Sequence, residues 1–158
     1  MLVIATLLAA SSSAVFAGTT TTTFTTQINI QPTCIIGSAG NIDFGNQGVL
    51  SANVDQFSDI VVQCTATTTY NVGLNAGTGV GATVAVRKLT SGGGATINYS
   101  LYSDGPHTTV WGNTVGTDTV PGLGDGTPKS HRVFGRVPPQ TTPAPALYND
   151  TITVTVTY

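Results

Sequence analysis

Residues 19–30 read TTTTTFTTQINI, and this stretch constrains the chain more than any other. Threonine and isoleucine are β-branched, so the segment favours an extended backbone and resists helix. Alternate side chains of a strand point to opposite faces. One face carries Thr20, Thr22, Phe24, Thr26, Ile28 and Ile30, and grows more apolar toward its C-terminal end. The other, Thr19 to Asn29 in steps of two, is polar throughout. A strand of this kind at a mature N-terminus needs a groove to fill, in its own chain or in another. The plain alternative is the first strand of an ordinary sandwich with a threonine-rich tail.

The residues before it read as a secretory signal over 1–17. Residues 2–10 form an apolar run too short to span a bilayer, and Val15-Phe16-Ala17 supplies small residues where a signal peptidase reads. The remainder of the 158 residues suits one domain. Charged residues make up 8% of the chain, glutamate is absent, and seven aspartates face five bases that form no patch. The footprint of a nucleic-acid binder is therefore missing. A net charge of −2 favours association over life as a free monomer. In an exported chain the two cysteines, Cys34 and Cys64, read as a disulfide. Closing that loop of about 30 residues contributes about 3.5 kcal/mol by chain entropy.

Short strands separated by glycine and proline turns follow, and no stretch has helical periodicity with caps. Residues 41–45 (NIDFG) predict a brief strand with Ile42 and Phe44 on one face. In 57–64, Ser58, Ile60, Val62 and Cys64 share the inward face. In 69–74, Tyr70, Val72 and Leu74 share one face. Residues 82–89 and 97–103 flank the turn Thr90-Ser91-Gly92-Gly93-Gly94 as a hairpin. Trp111 is expected at the core edge. Residues 112–129 show no pattern, 132–137 form a short strand, and four prolines between 138 and 145 mark an extended loop. Residues 150–158 give the cleanest alternation: Ile152, Val154, Val156 and Tyr158 against four threonines. The pattern predicts an all-β sandwich.

Catalytic chemistry is thinly supplied. His107 and His131 fall in predicted turns and read as solvated loop residues, too far from the cysteines for a metal site. Asp104, Asp118, Asp125 and Asp150 sit at turn positions, where aspartate bonds the local backbone. The EF-hand spacing that would let Asp118 and Asp125 hold calcium is absent. No nucleophile elbow is present. The reading is no enzyme, no catalytic residue, no metal and no cofactor. Asn98-Tyr99-Ser100 and Asn149-Asp150-Thr151 match the N-glycosylation pattern, which occurs often by chance.

In order, the chain presents a signal, a Thr/Ile strand, a cysteine, NIDFG, a second cysteine closing a strand, YNVGLNAG, VRKL, INYSLYSD, a lone tryptophan, VFGRVPP and YNDTITVTVTY. This resembles the spore coat protein U domain family, which includes the major subunits of archaic chaperone–usher pili. The resemblance implies an incomplete immunoglobulin-like sandwich over 31–158, completed by a donor strand. It implies donor-strand complementation, with 18–30 as the donor strand and Phe24, Thr26, Ile28 and Ile30 as its plugs. Ile152, Val154, Val156 and Tyr158 would line the groove or the neighbouring core. It further implies identical or related pilin subunits as polymer partners, a periplasmic chaperone, an outer-membrane usher, and export through the periplasm to a cell-surface pilus. Attachment and biofilm formation would be the outcome. The competing readings are a self-contained secreted or coat sandwich, a carbohydrate-binding module using Trp111 and Tyr102, and, last, a hydrolase.

Overall fold

The computed structural model describes residues 15–158. Most of the expected signal segment therefore lies outside the described residues. Nine strands form two antiparallel sheets, with no helix among the described residues. The strands are β1 (Cys34–Ala39), β2 (Val54–Cys64), β3 (Thr69–Leu74), β4 (Arg87–Ser91) and β5 (Thr96–Tyr102). They continue with β6 (Val120–Leu123), β7 (Pro128–Val137), β8 (Tyr148–Asn149) and β9 (Val154–Thr157). The large sheet runs β1-β2-β7-β5-β4-β8, and the small one β6-β3-β9. The architecture is the all-β sandwich that the alternation predicts.

The core lies between the sheets. From β2 it takes Ile60, Val62 and Cys64, and from β3 Tyr70, Val72 and Leu74, as the period of two requires. Tyr99 and Leu101 of β5, Val133 and Val137 of β7, and Leu50 complete it with Trp111. Cys34 and Cys64 face each other in the β1–β2 register and are joined by a disulfide, their Cα atoms 4.1 Å apart. The bridge fixes the first strand of the domain directly after the threonine-rich segment.

Several expectations need correction. Residues 41–45 form no strand: the Asp43 carboxylate accepts the Gly45 N–H at 2.8 Å, and Gly45 takes a φ of +71°. That local turn outcompetes a ladder. Ile42 and Phe44 still pack on the core. The strand expected from 82 begins only at Arg87, because Thr83 and Val86 close a turn on each other (2.9 Å and 3.1 Å). The pair Ile35-Ile36 belongs to a full strand, β1, with a bulge between Ile36 and Ser38. Residues 112–129 hide β6 and the start of β7. Pro121 is tolerated because β6 is an edge strand, and Pro128 because it opens β7. Trp111 is not at the core edge: it is 1% exposed, and its indole N–H donates to the Val72 carbonyl at 2.8 Å.

Arg87 is fully buried and binds no carboxylate among the described residues. Its guanidinium instead donates to the carbonyls of Asn75 (2.9 Å), Val84 (2.7 Å), Leu74 (3.1 Å) and Trp111 (2.7 Å). Burial pushes its pKa down from the usual guanidinium range, and Tyr99, Asp150 and Asp118 push back. One side chain thus ties the end of β3 to the tryptophan segment and to the loop before β4. Arg87→Met should leave these carbonyls unpaired and lower stability by about 3–5 kcal/mol in urea denaturation. Arg87→Lys, which cannot reproduce the planar fork, should recover only part of the loss.

Candidate functional site

The two sheets do not close on each other everywhere. β1 ends the large sheet, β9 ends the small one, and the two approach without pairing. Beyond that approach the sandwich opens into an apolar groove of about 1020 Å³. Its walls are Ala39 at the end of β1, residues 40–50, which form no strand, and residues 142–151, whose only strand is the two-residue β8, with Ile152 and the first residue of β9, Val154. Its floor is core: Ile60, Leu74, Tyr99, Leu101, Val133 and Val137. Val49 (81% exposed) and Leu147 (77%) stand on its rim.

The segment leading into β9 is held by a side-chain network. The Asp150 carboxylate accepts the Thr78 N–H (2.7 Å), the Thr78 hydroxyl (2.9 Å), the Tyr99 hydroxyl (2.8 Å) and the Thr151 N–H (2.7 Å). Burial raises the Tyr99 pKa, and its bond to Asp150 raises it further, so the phenol stays a donor. Asn75 extends the β3–β9 ladder by one step: its N–H donates to the Thr153 carbonyl at 3.2 Å, and its side-chain oxygen accepts the Thr153 N–H at 2.9 Å. Gly77, with a φ of +83°, lies so close to Asp150 that a Cβ there would overlap the carboxylate. Among the described residues β9 pairs with β3 alone, so alternate residues aim their N–H and C=O groups away from the sheet.

Ile152, Val154 and Val156 point toward the core and are half-buried, with Ile152 and Val154 also in the groove wall. Tyr158 is 60% exposed and outside the groove lining. Residues 15–32 pair with no strand and are exposed throughout, including Thr26. Phe24 is 88% exposed, Ile28 83% and Ile30 69%. The apolar face of the leading segment and the apolar groove thus occur in one chain without meeting in it.

The other candidates dissolve into structural roles. Trp111 is buried, and Tyr102 packs edge-on against His107 at 5.2 Å, so neither forms a sugar platform. Neither histidine is a solvated loop residue. His131 lies in β7, half-buried, its Nε2 2.9 Å from the Tyr70 hydroxyl. The His107 ring is wedged between Tyr102 and Phe134, with Nε2 3.8 Å from Asp55. Asp118 accepts the Thr114 N–H at 2.6 Å, and Asp125 is taken up by Thr127 and Lys129. The pair with Lys129 holds the Asp125 carboxyl well below the usual range.

A family model described as "Spore Coat Protein U domain" matches residues 20–155. The chain belongs to that family. A spore coat protein U domain chain is a structural protein and not an enzyme. Protein U of Myxococcus xanthus is 34% identical over 144 residues, covering 82% of this chain and 80% of that protein. A solved chain from the CsuC–CsuE chaperone–tip adhesion subunit pre-assembly complex of the archaic chaperone–usher Csu pili of Acinetobacter baumannii has the same fold. Its TM-score is 0.61 at 21% identity, over 82% of this chain and 40% of that one. The groove, the ladder step at Asn75 and the Asp150 network all lie inside the matched span.

Burial also holds the His131 pKa below the ordinary imidazole value. A histidine with a depressed folded pKa contributes stability that is complete above its unfolded pKa, about 6.5, and is lost as pH falls below it. Bonds from Arg136 and Arg132 lower the Asp55 and Asp59 pKa values, so their contribution fades only below about pH 4. The urea midpoint should therefore begin to fall below about pH 6.5, and His131→Gln should flatten that upper part of the profile.

Proposed function

We propose that this chain is a structural subunit of a chaperone–usher pilus that polymerises by donating residues 18–30 to the groove of the next copy. One observation carries the reading: an exposed segment with an apolar face and an open apolar groove occur in the same chain, and among the described residues neither covers the other. A strand laid along the unpaired edge of β9 gains main-chain hydrogen bonds and buries alternate side chains in the groove. Phe24, Ile28 and Ile30 each contribute about 1.5–3 kcal/mol of apolar burial, and Thr26 fills the step between them. Donation from one copy to the next is head-to-tail and builds an open filament.

Before assembly the groove is an exposed apolar surface flanked by unpaired peptide groups, which calls for a periplasmic chaperone. Exchange for the next subunit then takes place at an outer-membrane usher. The structural neighbour's origin in a chaperone–subunit complex supports this partnership. Export through the periplasm to a surface pilus, serving attachment and biofilm formation, follows from the same reading. The likeness to Protein U and the name of the family favour a second reading, a surface coat protein built on the same sandwich.

Surface-sheared material run unheated and boiled on SDS gels tests the choice. Donor-strand polymers should give a ladder that collapses to one band on boiling, because release requires unzipping a whole strand. Ile28→Asp should abolish the ladder while leaving the groove able to take a chaperone. A monomer band under both conditions would favour the coat protein instead.

A further inference from the structure

We propose that the short anchored linker 31–33 denies the groove to the chain's own leading segment and so reserves it for the segment of a second copy. This rests on the donor-strand reading and adds what decides between self-capping and polymerisation. Any segment able to reach the groove of its own chain does so at a high effective concentration and outcompetes other copies. A polymerising chain therefore needs a barrier against itself.

The barrier is visible in the topology. Cys34 is bonded to Cys64, and Thr33 is held twice: its carbonyl accepts the Thr65 N–H at 3.0 Å, and its N–H donates to the Thr65 hydroxyl at 3.1 Å. Only Gln31 and Pro32 remain to turn the chain. β9 ends at this same end of the sandwich. Thr157 pairs with Asn71 near the start of β3, and β3 follows Cys64 across the turn 65–68. The groove opens at the other end, with walls that begin at Ala39 on one side and finish at Val154 on the other.

A reversal at 31–33 would lay the chain's own segment antiparallel to β1. Hairpin register then sets Ile30 opposite Cys34, Ile28 opposite Ile36 and Phe24 opposite Gly40. The two isoleucines would stop beside the closed end, where β1 already approaches β9, and only Phe24 and the threonines before it would reach the groove. The segment would also run parallel to β9, the edge whose peptide groups stand over the groove. A segment arriving from a second copy is not tethered at Thr33 and can enter in the opposite direction. Laid antiparallel to β9, it brings Ile28 and Ile30 to the open end beside Ile152 and Val154. The apolar gradient of the segment then matches the widening of the groove.

The test is an insertion of twelve Gly/Ser residues between Ile30 and Gln31, a reach of about 40 Å. Freed from the anchor, the segment can enter its own groove in the antiparallel direction. The extended chain should appear as monomer, with the polymer-to-monomer ratio on unheated gels reduced at least tenfold. The same insertion between Gly18 and Thr19 should leave the ladder unchanged. A synthetic peptide of residues 19–30 should bind the diluted unaltered monomer and not the extended one. A full ladder from the extended chain, or an unaltered monomer that refuses the peptide while the ladder still forms, overturns the role of the linker. Loss of the ladder in the unaltered chain overturns the donor-strand reading itself.

Discussion

A strand at the edge of a sheet carries peptide groups that only another strand can satisfy at full strength. In this domain the edge that matters is β9, because it stands over an opening in the core and not over solvent alone. Two deficits therefore coincide. Among the described residues, alternate backbone groups of β9 lack a ladder partner, and Ile152 and Val154 are only half-buried. A single extended segment with alternating apolar residues meets both at once. No helix or loop has the matching 3.4 Å backbone repeat.

The remaining architecture keeps that opening in shape. Arg87 spans the end of β3, the tryptophan segment and the loop before β4 through carbonyl groups alone. Asp150 and Asn75 hold the residues just before β9, one step beyond the end of the β3–β9 register. The wall formed by 142–151 is extended by its prolines and tied to β5 through Gln140, which exchanges bonds with Asn98 at 2.9 Å in both directions. Polar side chains thus fix the rim of an apolar cavity, and the cavity need not collapse to satisfy its surroundings.

Much of this was legible in the sequence because its strands obey the period of two. Ile60, Val62 and Cys64, then Tyr70, Val72 and Leu74, then Ile152, Val154 and Val156 face inward as the alternation predicts. Errors arose where side chains compete with the ladder, as Asp43 does in 41–45 and Thr83 before β4. They also arose where proline masks an edge strand, as at Pro121. Arg87, buried among carbonyls, and His131, placed in β7, were illegible, since nothing local in VRKL or SHRVF distinguishes a buried base from an exposed one. The groove itself has no sequence signature: it is made where 40–50 and 142–147 form no strand.

The position of the disulfide has a mechanical consequence. A pull on the leading segment enters the domain at Cys34, the first residue of β1. Without the bridge, the load would peel β1 from β2 one bond at a time. With it, force passes covalently into Cys64 at the end of β2, the longest strand, whose register with β7 runs from Val54 to Gln63. Tension along the chain is thereby carried in shear by the deepest ladder of the sandwich, and β1 is relieved of it.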